Sequence, residues 1–241
     1  MDVWALSDRG RVRKNNQDAY YYNIGDDCTV ALVCDGMGGA AAGETASRIA
    51  AEVFVDALQG QHASIPKLLT DAVSAANLAV YHYSDEHPEC SGMGTTLVGV
   101  VTVENNAYVV NVGDSRCYYL SEDGIRQVTR DHSLVADLVR RGAITPEEAR
   151  THPRKNLITR ALGASEECRA DVFQIELEPE SMLLLCSDGL TNQVTDQEIL
   201  FEALYGGEPE TCCRRLVDLT LRRGAPDNVT VVLMMTDGRG C

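Results

Sequence analysis

Short apolar runs rich in β-branched residues, broken by clusters of Gly, Asp and Asn, recur along the whole chain and predict strands. They cover residues 3–7, 29–34, 97–103, 107–112, 117–120, 182–186 and 229–234, with an alternating edge strand at 20–22. Strict alternation over 171–177 marks one more, half exposed. Turns at Glu104-Asn105-Asn106 and Glu122-Asp123-Gly124 make two of the junctions hairpins. A second period appears after Gly43, where Ala46, Ile49, Ala50, Val53, Phe54 and Ala57 recur at helical steps before Gly60 ends the pattern. Another helical face runs from Ile65 to Tyr83, so the two helices are expected to lie together over a sheet. Helices are also predicted at 196–204 and 210–222. The order is α+β, packed sheets with helices outside, and no composition break divides the single domain expected over 1–241.

Residues 131–163 differ in kind. A short helix at 134–141 is stopped by Gly142, and Thr145-Pro146-Glu147-Glu148 is a capping box with proline at the first helical position. Two short helices joined by polar turns make a poor core, and an insertion of this sort serves as a flap.

Three carboxylates fall at the edges of strands. Asp35-Gly36-Met37-Gly38-Gly39 follows one apolar run, Asp188-Gly189 follows another through Ser187, and Asp227-Asn228 precedes the last. An isolated Asp-Gly is most simply a turn. If the three strand ends lie together, however, the acids repel unless cations sit between them. Glycines beside Asp35 let a main-chain carbonyl join as an oxygen donor, and the absence of His or Cys at ligand spacing favours Mg²⁺ or Mn²⁺ over Zn²⁺. His62, His82 and His87 have no mutual spacing that makes a ligand set.

The formal charge of −15 over 241 residues argues against nucleic acid or an anionic membrane as a partner. No basic segment followed by an apolar core opens the chain and no stretch is long enough to cross a bilayer, so a soluble cytoplasmic protein is expected. Nine cysteines, several of them inside apolar runs (Cys34, Cys117, Cys186), speak against a disulfide framework, and Cys212-Cys213 reads as two helix positions.

Some local features stay open on the residues alone. Arg11, Arg13 and Lys14 precede Asp18 and read either as a solvated turn, which the local sequence favours, or as a guanidinium placed for phosphate oxygens. Gly113-Asp114-Ser115 is a bulge between strands or a metal-facing carboxylate. Arg150, Arg154, Lys155 and Arg160 in the flap either meet a phosphorylated partner or balance an acidic surface.

Taken together, Ser7-Asp8-Arg9-Gly10 with Arg13 through Asp18, Asp35-Gly36-Met37-Gly38-Gly39, Gly94-Thr95-Thr96, Gly113-Asp114-Ser115-Arg116, Asp131-His132-Ser133, Thr159-Arg160-Ala161-Leu162-Gly163, Ser187-Asp188-Gly189 and Asp227-Asn228-Val229-Thr230 resemble the ordered motif set of the metal-dependent serine/threonine protein phosphatases of type 2C, in their compact bacterial form. The resemblance implies a central β-sandwich of two antiparallel sheets flanked by helices on both faces, with a binuclear Mn²⁺ or Mg²⁺ centre at one end. It implies that Asp35 bridges the metals, that the Gly36 carbonyl joins one, and that Asp188 and Asp227 complete the other. Asp18 supports the metals or their waters, Arg13 holds the phosphate, reversing the local preference, and Asp114 helps a weaker third ion. The implied reaction is hydrolysis of phosphoserine and phosphothreonine in proteins by a water between two cations about 3.5–4 Å apart. A serine/threonine kinase is the implied opponent, Arg154 and Arg160 of the flap meet the substrate, and a monomer is expected.

Three positions depart from the pattern of many relatives: Gln17 where a glutamate is usual, Met37 in place of a histidine proposed as general acid, and Asn192 in place of a third-metal aspartate. Ala40 supplies no substitute acid, leaving protonation of the leaving group to water. Rival readings are a pseudophosphatase that binds phosphoproteins without turnover and a metal-dependent hydrolase of small phosphate esters.

Overall fold

The computed structural model describes residues 1–39, 41–59 and 64–236. Ala40, Gly60 and His62, singled out above, lie outside them. The elements run β1 Asp2–Asp8, β2 Asp18–Ile24, β3 Cys28–Met37, α1 Ala42–Ala57, α2 Ile65–Glu86, β4 Gly94–Thr95, β5 Leu97–Val103, β6 Asn106–Val112, β7 Arg116–Ser121 and β8 Gly124–Gln127. They continue α3 Leu134–Arg140, α4 Pro146–Thr151, β9 Asp171–Glu176, β10 Met182–Cys186, α5 Asp188–Thr191, α6 Asp196–Leu204, α7 Cys212–Arg222 and β11 Val229–Met235. One sheet has the order β1-β11-β10-β7-β8 and the other β2-β3-β5-β6-β9, with β4 attached to β3. Every pairing is antiparallel.

The continuous apolar runs reflect burial on both faces of each sheet. In β10, Leu183 and Leu185 point between the sheets while Met182, Leu184 and Cys186 face α5, α6 and α7. In β3, Ala31 and Val33 join the same inter-sheet layer while Leu32 and Cys34 face α1 and α2. Successive side chains alternate between two dry layers, so a register slip would exchange them and a polar residue in these runs, such as Thr102 or Asn111, needs a hydrogen-bond partner. Removing one such leucine from water contributes about 2 kcal/mol. The result is the expected α-β-β-α sandwich, with α1 and α2 outside one sheet and α5, α6 and α7 outside the other.

Two boundaries differ from the sequence expectation. The strand expected to stop before Asp35 runs on to Met37, because β3 exchanges its partner: β5 pairs it as far as Val33↔Val98, and β4 takes over at Gly36↔Thr95. The bend at Gly113-Asp114-Ser115 carries the chain from β6 in one sheet to β7 in the other. Cys212 and Cys213 are buried on α7, and the eight described cysteines are all free thiols. Among the described residues no helix is long and apolar enough to cross a membrane.

Candidate metal centre

Both sheets deliver acids to one end of the sandwich. Asp18 stands directly opposite Asp35 in the β2–β3 ladder. Asp188 is the first residue of α5, immediately beyond β10, and Asp227 lies just before β11. Because β10 and β11 pair antiparallel with Cys186 opposite Val231, these two acids emerge side by side. Asp114 comes from the link that changes sheets. Like charges directly opposite on neighbouring strands destabilise a sheet, so the Asp18–Asp35 pair requires compensation.

Polar side chains that serve no apolar layer hold this arrangement. Ser187 Oγ and Thr230 Oγ1 each donate to Asp18 Oδ2 at 2.7 Å, and Ser7 and Asn16 continue the chain of hydroxyl and amide contacts behind Thr230. Thr96 Oγ1 accepts from the Asp35 amide at 2.9 Å, while Thr95 Oγ1 donates to the Asp35 carbonyl at 3.0 Å. Asn228 ties three segments together: its side-chain amide donates to the Arg9 and Asn15 carbonyls and its oxygen accepts from the Gln17 amide. Gly36 and Gly189 are required by close approach. A Cβ on Gly36 would stand 2.0 Å from the Gly43 carbonyl oxygen, and one on Gly189 would stand 1.8 Å from that of Asn228.

Crowding is visible in the proton affinities. Burial, with the neighbouring Asp188 and Asp227 charges, pushes Asp18 up to about 7 against the lowering effect of its two hydroxyl donors. Burial and Asp188 push Asp114 to about 7 as well. Asp35 rises furthest, from burial and from Asp18, Asp188, Asp114 and Asp227, and Asp188 also rises from burial and from Asp227. Among the described residues no three His, Cys, Asp or Glu side chains already stand in a metal-binding arrangement. The donor set nonetheless fits hard divalent cations. It consists of oxygen atoms, burial and mutual repulsion raise the proton affinity of Asp18, Asp35, Asp114 and Asp188, and Asp18 Oδ1 is buried with no hydrogen-bond partner. Asp35, Asp188 and Asp227 are the candidates to hold such ions, with Asp18 opposite Asp35 behind them.

Arg13 pairs with these acids directly, its Nη2 donating to Asp227 Oδ2 at 2.8 Å. Its proton is held more tightly through Asp227, with further contributions from Asp35 and Asp188. Of the two flap arginines expected at the substrate, Arg154 is exposed. Arg160 is instead engaged at the base of the flap, donating to Asp171 Oδ1 at 2.9 Å and lying 3.1 Å from His132 Nε2. Its neighbour is an acid on β9, which explains why a cation from the flap turns inward.

A cleft of about 730 Å³ opens from Asp114 and Asp188 beneath the flap, with Arg116, Asp131, Lys155 and Asn192 on its walls. Lys155 Nζ donates to Asn192 Oδ1 at 3.1 Å, and Asn192 Nδ2 donates to Asp188 Oδ2 at 2.9 Å, linking flap and acids. The sequence reading passed over Ser187, Thr230 and Asn228 as supports, although each sits beside a chosen aspartate. It also missed His132, whose Nδ1 accepts the Gly113 amide at 3.1 Å, and the Arg116–Asp131 pair at 2.7 Å. The motifs Asp131-His132-Ser133 and Gly113-Asp114-Ser115-Arg116 carried that signal without a partner assignment.

Comparison with known proteins agrees with this geometry. Residues 9–218 match the sequence profile described as Protein phosphatase 2C. The serine/threonine phosphatase stp of Listeria monocytogenes is 37% identical over 239 residues, spanning 96% of this chain and 94% of that protein. The crystal structure of the Mycobacterium tuberculosis serine/threonine phosphatase PstP/Ppp superposes with a TM-score of 0.90 at 39% identity, covering 98% of each chain. The PstP catalytic domain solved in complex with 2 manganese ions gives 0.87 at 38% identity, again over 98% of each chain. With a sandwich, an acid cluster and a profile match that all span most of its length, the chain belongs to the protein phosphatase 2C family.

Proposed function

We propose that this chain is a metal-dependent protein phosphatase that hydrolyses phosphoserine and phosphothreonine in proteins. The observation that carries the reading is the convergence of Asp18, Asp35, Asp188 and Asp227 from both sheets on one oxygen-lined centre. In this reading Asp35, the Gly36 carbonyl, Asp188 and Asp227 would hold two Mn²⁺ or Mg²⁺ ions, with Asp35 serving both. Asp114 takes part in a weaker third site, where Asn192 offers an amide rather than a carboxylate. When bound, the two cations lower the pKa of a water and offset charge on the phosphoryl oxygens.

The protein's own groups position the substrate. Arg13 uses one guanidinium nitrogen on Asp227, which leaves further donors for the non-bridging phosphate oxygens. Asp18, fixed through Oδ2 by Ser187 and Thr230, keeps its other oxygen buried and without a hydrogen-bond partner. The cleft beneath the flap gives a protein substrate room beside the acids, which favours phosphoproteins over small esters. Retention of Arg13 and the four acids speaks against a pseudophosphatase. We further infer one catalytic domain over 1–241 with residues 131–163 as its flap, working as a cytoplasmic monomer in signal transduction opposite a serine/threonine kinase.

The test is hydrolysis of a phosphothreonine peptide by chelator-stripped protein with and without Mn²⁺. Activity restored by metal is the expected result. Folded protein that takes up Mn²⁺ yet leaves every phosphopeptide intact would return the reading to a phosphoprotein-binding role.

A further inference from the structure

The cleft that leaves the acid centre changes sign along its length. At the inner end are Asp114 and Asp188. Asp131, the remaining carboxylate on its wall, is neutralised by Arg116, which donates to it through Nε and Nη2, and by Gln127 at 2.7 Å. Beyond them the walls carry Arg130, Arg150 and Lys155. Among the described residues none of these three cations has a carboxylate within ion-pairing distance, and Lys155 is held by the neutral Asn192. An acidic chain of net charge −15 thus keeps unneutralised cations beside its reaction centre.

The floor of the cleft is equally unfinished. α3 carries Leu134, Val135, Ala136, Leu138 and Val139, yet no residue of α3 or α4 is fully buried. Val135 and Val139 of α3 and Pro146 and Ala149 of α4 line the cleft and present an aliphatic surface to it. These side chains are half-buried against the rest of the protein, and the part of their apolar surface left open faces the cleft.

We propose that this cleft is a specificity subsite for the segment flanking the phosphoresidue, and that it selects phosphoproteins carrying an acidic residue and an aliphatic residue beside the phosphorylated Ser or Thr. The inference rests on the phosphatase reading and deepens it. Charge complementarity assigns the carboxylates to Arg130, Arg150 and Lys155. Continuity of the cleft with Asp114 and Asp188 brings the flanking segment to it from the phosphate, and Val135 and Val139 receive the aliphatic side chain.

The test uses Mn²⁺-loaded full-length protein and phosphothreonine peptides of one backbone, with a pair of Asp, Asn or Lys residues placed on either side of the phosphothreonine next to a leucine. The Asp peptide of the preferred side is expected to exceed its Asn counterpart in kcat/KM by about fivefold, the discrimination two partly exposed ion pairs supply. The difference resides in KM and shrinks at about 1 M salt, where the screening length is about 3 Å. In an Arg130→Ala/Arg150→Ala variant the Asp-to-Asn ratio falls towards one. Arg130→Glu/Arg150→Glu moves the preference to the Lys peptide, a gain that misfolding does not imitate. Equal kcat/KM for all peptides in active enzyme, or an Asp preference that survives both variants, overturns the subsite while leaving the phosphatase reading in place. No hydrolysis of any peptide by metal-loaded protein defeats the phosphatase reading first.

Discussion

Asp18 and Asp35 face each other across two strands, and the cost of that pairing sets what single substitutions do. Asp35→Asn removes a crowded charge together with an oxygen proposed to hold both ions. Turnover is expected to fall at least about a hundredfold. In chelator the variant's melting temperature should not drop, and Mn²⁺ should no longer raise it. A full-sized Mn²⁺ shift in the variant would falsify the bridging role. The acids also dictate a pH dependence. Asp18 and Asp114 carry folded values of about 7 against 3.8 when unperturbed, so the folded state binds more protons than the unfolded one across that interval. Unfolding free energy therefore falls as pH rises through it. Glu198 works in the opposite sense below: Arg223 and the Thr195 amide hold it at about 2 rather than 4.5, so its contribution is lost as pH falls through that range. Metal-free protein should accordingly melt at a higher temperature near about pH 5 than near about pH 7.5, and saturating Mn²⁺ should reverse the order by requiring the carboxylates ionised. Thermal melts in chelator and in Mn²⁺ decide this.

Elements were legible where a period ran long enough to be read. α1 and α2, the β5–β6 hairpin and β10 fall within three residues of expectation, because each buries a face at a fixed repeat. The misreadings concern joints. β4 is only two residues long, so nothing in Gly94-Thr95 announces that it extends β3 past Asp35. The chain's passage between sheets at Asp114 resembles a bulge, since local pattern carries no information on which sheet the next strand joins. The partner of Arg160, Asp171, is likewise set by tertiary structure and has no local signal in the sequence. The motifs around the aspartates were clearer, since Gly36 and Gly189 are fixed by steric contact. Gly189→Ala, with its Cβ 1.8 Å from a carbonyl oxygen, should cost more than about 3 kcal/mol in urea unfolding. Thr195→Ala removes the cap of α6, where Thr195 and Glu198 form a capping box. It should cost about 1 kcal/mol and leave phosphopeptide turnover intact, which equilibrium unfolding beside a kinetic assay checks.

On the scale of the whole molecule, three apolar layers stack through the sandwich, and the middle one belongs to both sheets. Leu185→Ala opens a cavity in that middle layer and should destabilise the protein by about 3 kcal/mol in urea titrations. The acid centre sits where the two sheets come together, with Asp18 and Asp35 on one and Asp188 and Asp227 leading from the other. Among the described residues no backbone ladder crosses between the sheets. An ion seated among those four oxygen donors is consequently a rivet through two plates. Its removal would free the plates to slide, and amide exchange at the joined ends of β2, β3, β10 and β11 should quicken together while the far end of the sandwich keeps its pace.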